Sequence, residues 1–443
     1  MKLYSTNNKA HLVSLKEAVF KGLPEDKGLY MPAEIPSLSK DFIENLRQYS
    51  FQEIAFEITQ KLFDGAIPSS DIKDIIENSL TFPAPVVKLD DQRFILELFH
   101  GPSLAFKDFG ARFMAQLMSY LNRDETQELT ILVATSGDTG GAVAAGFHNT
   151  PGIRVVILYP SGKVSPLQEK QLTTLGGNIT ALEIDGTFDD CQALVKTAFL
   201  DASINKQFRL GSANSINIAR LIPQSFYYYE AYKQMQEFKN ARHVDVVFSI
   251  PSGNFGNLTA GIIAHKMGLP VKHFIAATNS NDVIPVYLQT GEFIPRPSVR
   301  TLSNAMDVGN PSNFSRMLDI FGQQSGGSTW NNMRGKISGF AFNDAETRAA
   351  IIDIFQTYAY IADPHTAVGY LALNHYLKDV ASETLSGIVL ETAHPSKFKE
   401  DLENILTYPI PVPERLRALT NLEKRAFLLS NIYSDFKAWM LDA

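Results

Sequence analysis

From residue 129 onward one unit recurs along the chain: a short apolar run rich in β-branched residues, then a stretch with helical spacing. LTILVAT (129–135), IRVVILYP (153–160), ITALEI (179–184), VDVVFSI (244–250), VKHFIAATN (271–279) and SGIVLET (386–392) read as strands. Runs this uniformly apolar are buried on both faces, so strands alternating with helices point to parallel sheets flanked by helices. The helix starts carry their own signals. Ser165 caps a helix with Pro166 at its first position and Gln168 completing the motif, and Thr187 to Asp190 caps the helix of Cys191, Leu194 and Val195. Gly268 closes the helix that follows PSGNFGN, and further helical patterns run over 345–360 and 366–377.

Other stretches are less regular. Residues 280–340 read as loop-rich and weakly periodic. Residues 1–90 mix loop signals such as KGLPEDKGLYMP with short helical patterns, the clearest being 49–63, where Phe51, Ile54, Ala55, Ile58 and Leu62 share a face. The expected architecture is α/β and two-lobed, with parallel or mixed sheets flanked by helices and an N-terminal extra layer. Residues 1–90 form that layer on the large lobe, 91–222 mostly the smaller lobe, and 223–443 the large lobe.

Composition removes several classes of function. A net charge of −7 and a pI near 5.8 supply no basic field for nucleic acid or anionic lipid. One cysteine excludes an internal disulfide framework and a cysteine-based zinc site, and nine histidines include no H-E-x-x-H. No apolar run reaches membrane-spanning length and the N-terminus lacks a signal-type apolar core, so the expected location is the cytoplasm, and no metal site is expected.

The chemistry centres on HGPSLAFKDFG (100–110). Lys107 stands among Ser103, Leu104, Gly110, Ala111 and Met114, which are small or apolar, and its neighbour Asp108 is matched by spacing with Arg112 instead. Two glycine-bordered loops follow strands and open helices. In SGNFGN (252–257), Gly253 and Gly256 let the backbone approach a ligand, and the helix start suits a phosphate; the same segment also reads as a tight turn with Asn257 as cap. In TSGDTGG (135–141), Ser136, Thr139 and backbone N–H groups suit a carboxylate or phosphate. No G-x-G-x-x-G is present, and GKIS (335–338) is not a P-loop because Trp330 stands where its first glycine belongs. A desolvated lysine has a lowered pKa and attacks aldehydes to form a Schiff base. A lysine together with a phosphate cradle is what pyridoxal phosphate requires.

On these motifs the chain resembles the threonine synthase family, pyridoxal-phosphate enzymes related to tryptophan synthase β and serine dehydratase. GLPEDKGLYMP (22–32), HGPSLAFKDFG, TSGDTGGA, NSINIAR (214–220), SGNFGN, AMDVGNPSNFSR (305–316), DPHTAVG (363–369) and ETAHPSKF (391–398) occur in the family's order over nearly the whole chain. The resemblance implies a fold type II enzyme whose cofactor is pyridoxal 5'-phosphate. Lys107 would hold the cofactor covalently, Gly253, Asn254, Phe255, Gly256 and Asn257 would cradle its phosphate, and Thr392 would meet its ring nitrogen. Ser136, Thr139 and neighbouring N–H groups would receive the substrate carboxylate, with Thr135 beside them. Asp138, also counted with the substrate site, would repel that carboxylate unless turned away and stands where related enzymes often carry asparagine near the cofactor's 3′-oxygen. Ser103, Asn214, Ser215, Asn217 and Arg220 are the candidates for the substrate phosphate.

The implied reaction converts O-phospho-L-homoserine and water to L-threonine and phosphate, with Lys107 moving protons in a closed, dry pocket, in a monomer or homodimer. Two other readings stay open on the loops alone: another fold type II lyase, either a dehydratase or a catabolic phospholyase, and a non-catalytic protein that binds an anionic metabolite.

Overall fold

The computed structural model describes residues 1–135, 137–323, 327–380 and 384–442. Each of the six expected strands forms, within two residues of the expected ends: Leu129–Ala134, Ile153–Pro160, Ile179–Asp185, Val246–Pro251, Val271–Thr278 and Ser386–Glu391. They divide between two sheets. In the five-stranded sheet the order is Phe427–Ser430, Ile179–Asp185, Ile153–Pro160, Leu129–Ala134, Arg209–Ser212, and every pairing is parallel. The six-stranded sheet runs Ile337–Ala341, Val271–Thr278, Val246–Pro251, Ser386–Glu391, Arg93–Glu97, Val86–Lys88, with only the last pair antiparallel. Sheet membership therefore crosses the sequence order. Residues 93–97 join the sheet built mainly from the second half of the chain, and 427–430 return to the sheet built from residues 129–212.

The helix signals act as expected. Ser165 Oγ accepts the Gln168 N–H with proline at the helix start, and Thr187 and Asp190 form a reciprocal capping box. The helix Phe51–Phe63 begins with another, Ser50 with Glu53; each such cap contributes about 1 kcal/mol. Cys191 is buried, and burial followed by Asp190 pushes its thiol up to about 12, so it is an inert packing group.

Two expectations need correction. The N-terminal region is not only helical: Lys2–Ser5 pairs antiparallel with both Asn8–Ser14 and Tyr30–Pro32. Asn8–Ser14 is exposed at all but one position, so no alternation marks it in the sequence. Residues 280–340 are also more ordered than their weak periodicity suggests, containing helices Val283–Thr290, Phe314–Gly322 and Thr329–Arg334 and the strand Ile337–Ala341. None of these helices exceeds nine residues, too short for a face to repeat. The stretch 291–303 does lack regular structure, and Asp307 gathers it by accepting the N–H and hydroxyl of Thr301 and the amides of Asn279 and Asn281.

The helix Phe226–Phe238 crosses the centre of the main core with Tyr227, Tyr228, Tyr229 and Tyr232 fully buried. Tyr228 donates to the Asn257 carbonyl at 2.8 Å and Tyr229 to that of Ala264 at 3.0 Å, so this helix fixes the one that opens at Gly256. Among the described residues no helix is long and apolar enough to cross a membrane.

Candidate active site

A cavity of about 120 Å³ lies where loops following Val246–Pro251 and Ser386–Glu391 meet the starts of two helices, Lys107–Asn122 and Gly256–Lys266. Ligands of open α/β sheets bind beyond such strand ends. Of the residues expected from sequence, Lys107, Thr139, Ser215, Arg220, Gly253, Asn254, Phe255, Gly256, Asn257 and Thr392 line it.

Lys107 is the first residue of its helix and half-buried. The turn before it is held against the strand end that carries Thr392. Ala105 and Ala393 form an antiparallel bridge, the Phe106 N–H donates to the Thr392 carbonyl at 2.9 Å, and the His394 N–H to that of Leu104 at 3.0 Å. Residues nearly three hundred positions apart in the chain are thus fixed to one another by main chain. Leu104, fully buried, has φ +59°, a conformation that costs a bulky residue about 1–3 kcal/mol and persists only where its surroundings impose it.

Asp108 does not pair with Arg112 as helical spacing suggests. Its Oδ2 accepts the Ser103 N–H at 2.8 Å, while Arg112 donates to the carbonyls of Ser79 and Asn78. The carboxylate sits at the positive end of the helix beside a turn with N–H groups to satisfy, and i,i+4 spacing says nothing of such a partner. Burial pushes Asp108 up to about 6 against the opposing hydrogen bond from Ser103.

The 253–257 loop is arranged to present amides. Phe255 has φ +58°, and the helix starts at Gly256. Side chains around the loop are turned to structural ends: Asn257 donates to the Pro251 carbonyl and accepts from Ser252 and Leu258, so it braces the turn from inside the helix and is not its cap. Asn313 donates to the Asn254 carbonyl at 3.0 Å and accepts from Arg316. The N–H groups of residues 253–257, by contrast, donate to no acceptor among the described residues. A Cβ on Gly253 would stand 2.9 Å from the Ala305 oxygen and the Met306 Cα, both main chain, so the loop cannot carry a side chain there.

Behind that wall, His365 Nε2 accepts the Ala305 N–H at 3.3 Å. An amide can only donate, so the ring proton sits on Nδ1, directed at Asp363 Oδ1 2.6 Å away. His365 lines the cavity, as do Phe106, Gln224, Met306 and Asn313. The last three and His365 were not singled out from sequence, although AMDVGNPSNFSR and DPHTAVG contain three of them.

The substrate candidates separate. Arg220 is buried, and the one hydrogen bond its guanidinium makes among the described residues goes to the Ala213 carbonyl at 2.9 Å; burial lowers it to about 10. Such a cation favours an anion beside it. Asn214 is exposed, and Asn217 spends its side chain on the Val19 carbonyl and the Ala219 N–H as a helix cap, so neither borders the cavity. Ser103 is buried outside it, against a second cavity. Thr135 Oγ1 accepts the N–H groups of Gly137 and Gly140 and shapes the turn from within. Ser136 lies outside the described residues, as does the side chain of Asp138, the first residue of the helix Asp138–Phe147.

Five unspent amides at a helix start, a buried arginine, a lysine and a threonine hydroxyl facing one cavity fit a phosphorylated aldehyde cofactor joined to an amine. Among the described residues no cluster of His, Cys, Asp or Glu could hold a metal.

Comparison with known proteins agrees with that fit. The family described as pyridoxal-phosphate dependent enzyme matches residues 80–390, threonine synthase N terminus matches 2–80, and threonine synthase, C-terminal matches 366–439. A threonine synthase of Haemophilus influenzae is 45% identical over 441 residues, covering 100% of both chains. The crystal structure of threonine synthase from Escherichia coli superposes with a TM-score of 0.87 at 42% identity over 100% of both chains. That of a PLP-bound threonine synthase from Brucella melitensis gives 0.92 at 34% identity, over 99% of this chain and 98% of the other. With family matches in order from residue 2 to residue 439 and relatives of the same length, the chain belongs to the threonine synthase family of pyridoxal-phosphate dependent enzymes.

Proposed function

We propose that this enzyme converts O-phospho-L-homoserine and water to L-threonine and inorganic phosphate, the last step of threonine formation. The observation that carries the reading is one cavity bordered by the lysine, the 253–257 amide loop and a buried arginine, Arg220, which supports a second anion site. A cofactor phosphate and a substrate phosphate need two such places, and a dehydratase acting on an unphosphorylated amino acid needs only one.

Lys107 would hold pyridoxal phosphate, the amides of residues 253–257 its phosphate, and the Thr392 hydroxyl its ring nitrogen. When bound, the cofactor supplies an electron sink that makes protons next to the substrate's amine-bearing carbon removable. Arg220 and Ser215 take the substrate phosphate, and Thr139, with Ser136 and the adjoining amides, takes the carboxylate. Fixing both ends of the substrate places its Cα and Cβ within reach of one base, a positioning effect that lowers the entropic barrier. Lys107 removes the Cα proton and then a Cβ proton, the Cγ–O bond breaks and phosphate leaves with its electron pair, and the lysine returns those two protons at Cγ and finally Cα. Water adds its hydroxyl at Cβ, and its remaining proton goes to the departing phosphate. Held against the Thr392 strand end by main-chain hydrogen bonds, the lysine stays in register through these transfers.

In the proposed arrangement the five-stranded sheet belongs to the smaller lobe with the carboxylate loop and the six-stranded one to the large lobe with the cradle, on which residues 1–90 pack and to which they give the edge strand Val86–Lys88. The assembly proposed is a monomer or a homodimer. A single buried cysteine suits the cytoplasm. The test is product analysis from O-phospho-L-homoserine. Threonine and phosphate in equal amounts are expected; 2-oxobutyrate without threonine would reject the synthase in favour of a phospholyase.

A further inference from the structure

Directly before Thr392, the last residue of the strand Ser386–Glu391 is a glutamate with no exposure. Its Oε2 meets the hydroxyl of Tyr360, which also lies 2.9 Å from Oε1 of Glu97. Glu97 Oε2 in turn meets His100 Nε2 at 2.7 Å. Two carboxyl groups thus converge on one phenol, and a phenol has one hydrogen to give. If both acids were ionised, one of these oxygen–oxygen contacts would contain no hydrogen. A proton on one carboxyl completes the chain.

The surroundings decide which carboxyl holds it. Glu97 is partly exposed and has a second partner in His100. Glu391 is sealed, and its other oxygen, Oε1, has no partner at hydrogen-bond geometry among the described residues. Leaving a neutral carbonyl oxygen unpaired in the interior costs far less than leaving half a carboxylate so. We infer that Glu391 is held as the neutral acid through the neutral pH range, its O–H donated to Tyr360, whose O–H goes to Glu97. In that state it is a positioning residue, tying the end of the Thr392 strand to the strand Arg93–Glu97 and to the connector 359–363, which carries Tyr360 and Asp363 and leads into the helix of His365.

Burial first, then the carboxylate of Asp363 and after it that of Glu97, drive Glu391 well above the usual carboxylate range, against the opposing hydrogen bonds of Tyr360 and the Asp363 main chain. Asp363 is committed as acceptor to the His365 N–H, the His365 ring and the Thr366 hydroxyl, so it has no hydrogen to offer. Tyr360 is likewise driven up by burial and by Glu391 and Glu97, and so keeps its proton. On the far side His394 is lowered to about 4 by burial and by Arg415, whose guanidinium is held by the carbonyls of Phe99 and His100. The protonation state stands on this geometry alone. Its consequence, that no negative charge adjoins the hydroxyl offered to the cofactor's ring nitrogen, rests on the proposed function.

Glu391→Gln tests the assignment, because an amide mimics the neutral acid. Unfolding of the full chain without added pyridoxal phosphate is followed from about pH 5 to pH 9 for wild type and E391Q. A folded-state pKa raised above the ordinary glutamate value makes wild type lose stability as pH rises, by up to about tenfold in the folding equilibrium per pH unit, whereas glutamine does not titrate. E391Q is therefore expected to gain on wild type with rising pH. A variant that is weakest at neutral pH and recovers on acidification, or a difference that ignores pH, would overturn the assignment. If E391Q does not fold, infrared spectra of wild type carrying isotope-labelled glutamate decide: a protonated carboxyl band at neutral pH is expected, and its absence refutes the proposal. For the positioning role, Glu391→Ala is expected to weaken pyridoxal-phosphate binding by about tenfold or more and glutamine to restore most of it; glutamine no better than alanine would refute that role. The stability and infrared readouts need neither substrate nor cofactor, so their failure is separable from a failure of the threonine assay.

Discussion

The loops at 135–141 and 252–257 are written in the same grammar, small polar residues and paired glycines between a buried strand and a helix, and they end up with opposite allocations of hydrogen bonds. In the first, a side chain consumes the main chain: Thr135 Oγ1 takes the N–H groups of Gly137 and Gly140, and Thr139 is left facing the cavity. In the second, side chains brace the loop through its carbonyls and each other, and the N–H groups of 253–257 are left unspent. Under the proposed function, rigid amides would match a permanently held phosphate, and a hydroxyl on a loop tightened from within would match a substrate carboxylate that comes and goes. Which groups remain unspent, not the presence of glycine, distinguishes the two.

The largest effect on this comparison comes from removing the amine both loops serve. Lys107→Ala is expected to lower turnover by at least about three orders of magnitude with an unchanged circular dichroism spectrum; substantial residual turnover would contradict the shared site. Next is Gly253→Ala. Its Cβ meets main chain at 2.9 Å on two sides, so overpacking of about 1–3 kcal/mol is expected. It should appear in the dissociation constant of pyridoxal phosphate before it appears in KM for the substrate. Thr135→Val inverts that order. Losing one acceptor for two N–H groups is expected to raise KM by about tenfold while cofactor affinity changes little. Equal effects of the two variants on both constants would erase the distinction between the loops.

The effect expected to be smallest on ligand binding, and read in stability instead, concerns Asp108, which anchors the turn before Lys107. Its carboxyl is raised to about 6, so wild type carries its full share of stability from this group below about pH 4 and loses it as pH rises through 6. Asp108→Asn does not titrate and still accepts the Ser103 N–H. Its unfolding free energy relative to wild type is expected to climb between pH 4 and pH 7, the difference reaching at most about 3 kcal/mol. A decline over that interval would mean the carboxylate is ionised and stabilised in place.

Much of this was legible because the chain's strongest physical signals are local. Buried parallel strands must be apolar throughout, so 153–160 could be read to the residue, and caps such as Ser165 and Thr187 announce themselves within four positions. The short strand Phe427–Ser430, half of it exposed, gave no such signal, nor did Asn8–Ser14. In the site, local chemistry marked Lys107 and the amide loop. It could not show that Asp108 turns back to Ser103 or that Asn217 reaches Val19. Nor could it show that the 104–106 turn is bonded to 392–394, because those partners lie on other parts of the chain. His365 was hidden for the same reason: its role depends on Ala305, sixty residues away.

The central claim is that Lys107 and the 253–257 amides serve one bound cofactor. Reduction of the pyridoxal-phosphate-loaded enzyme with borohydride, followed by peptide mapping, tests it most directly. The account expects the pyridoxyl label on Lys107 alone, with labelling diminished in Gly253→Ala at limiting cofactor. A label on another lysine, or on Lys107 to the same extent in both proteins, would contradict it.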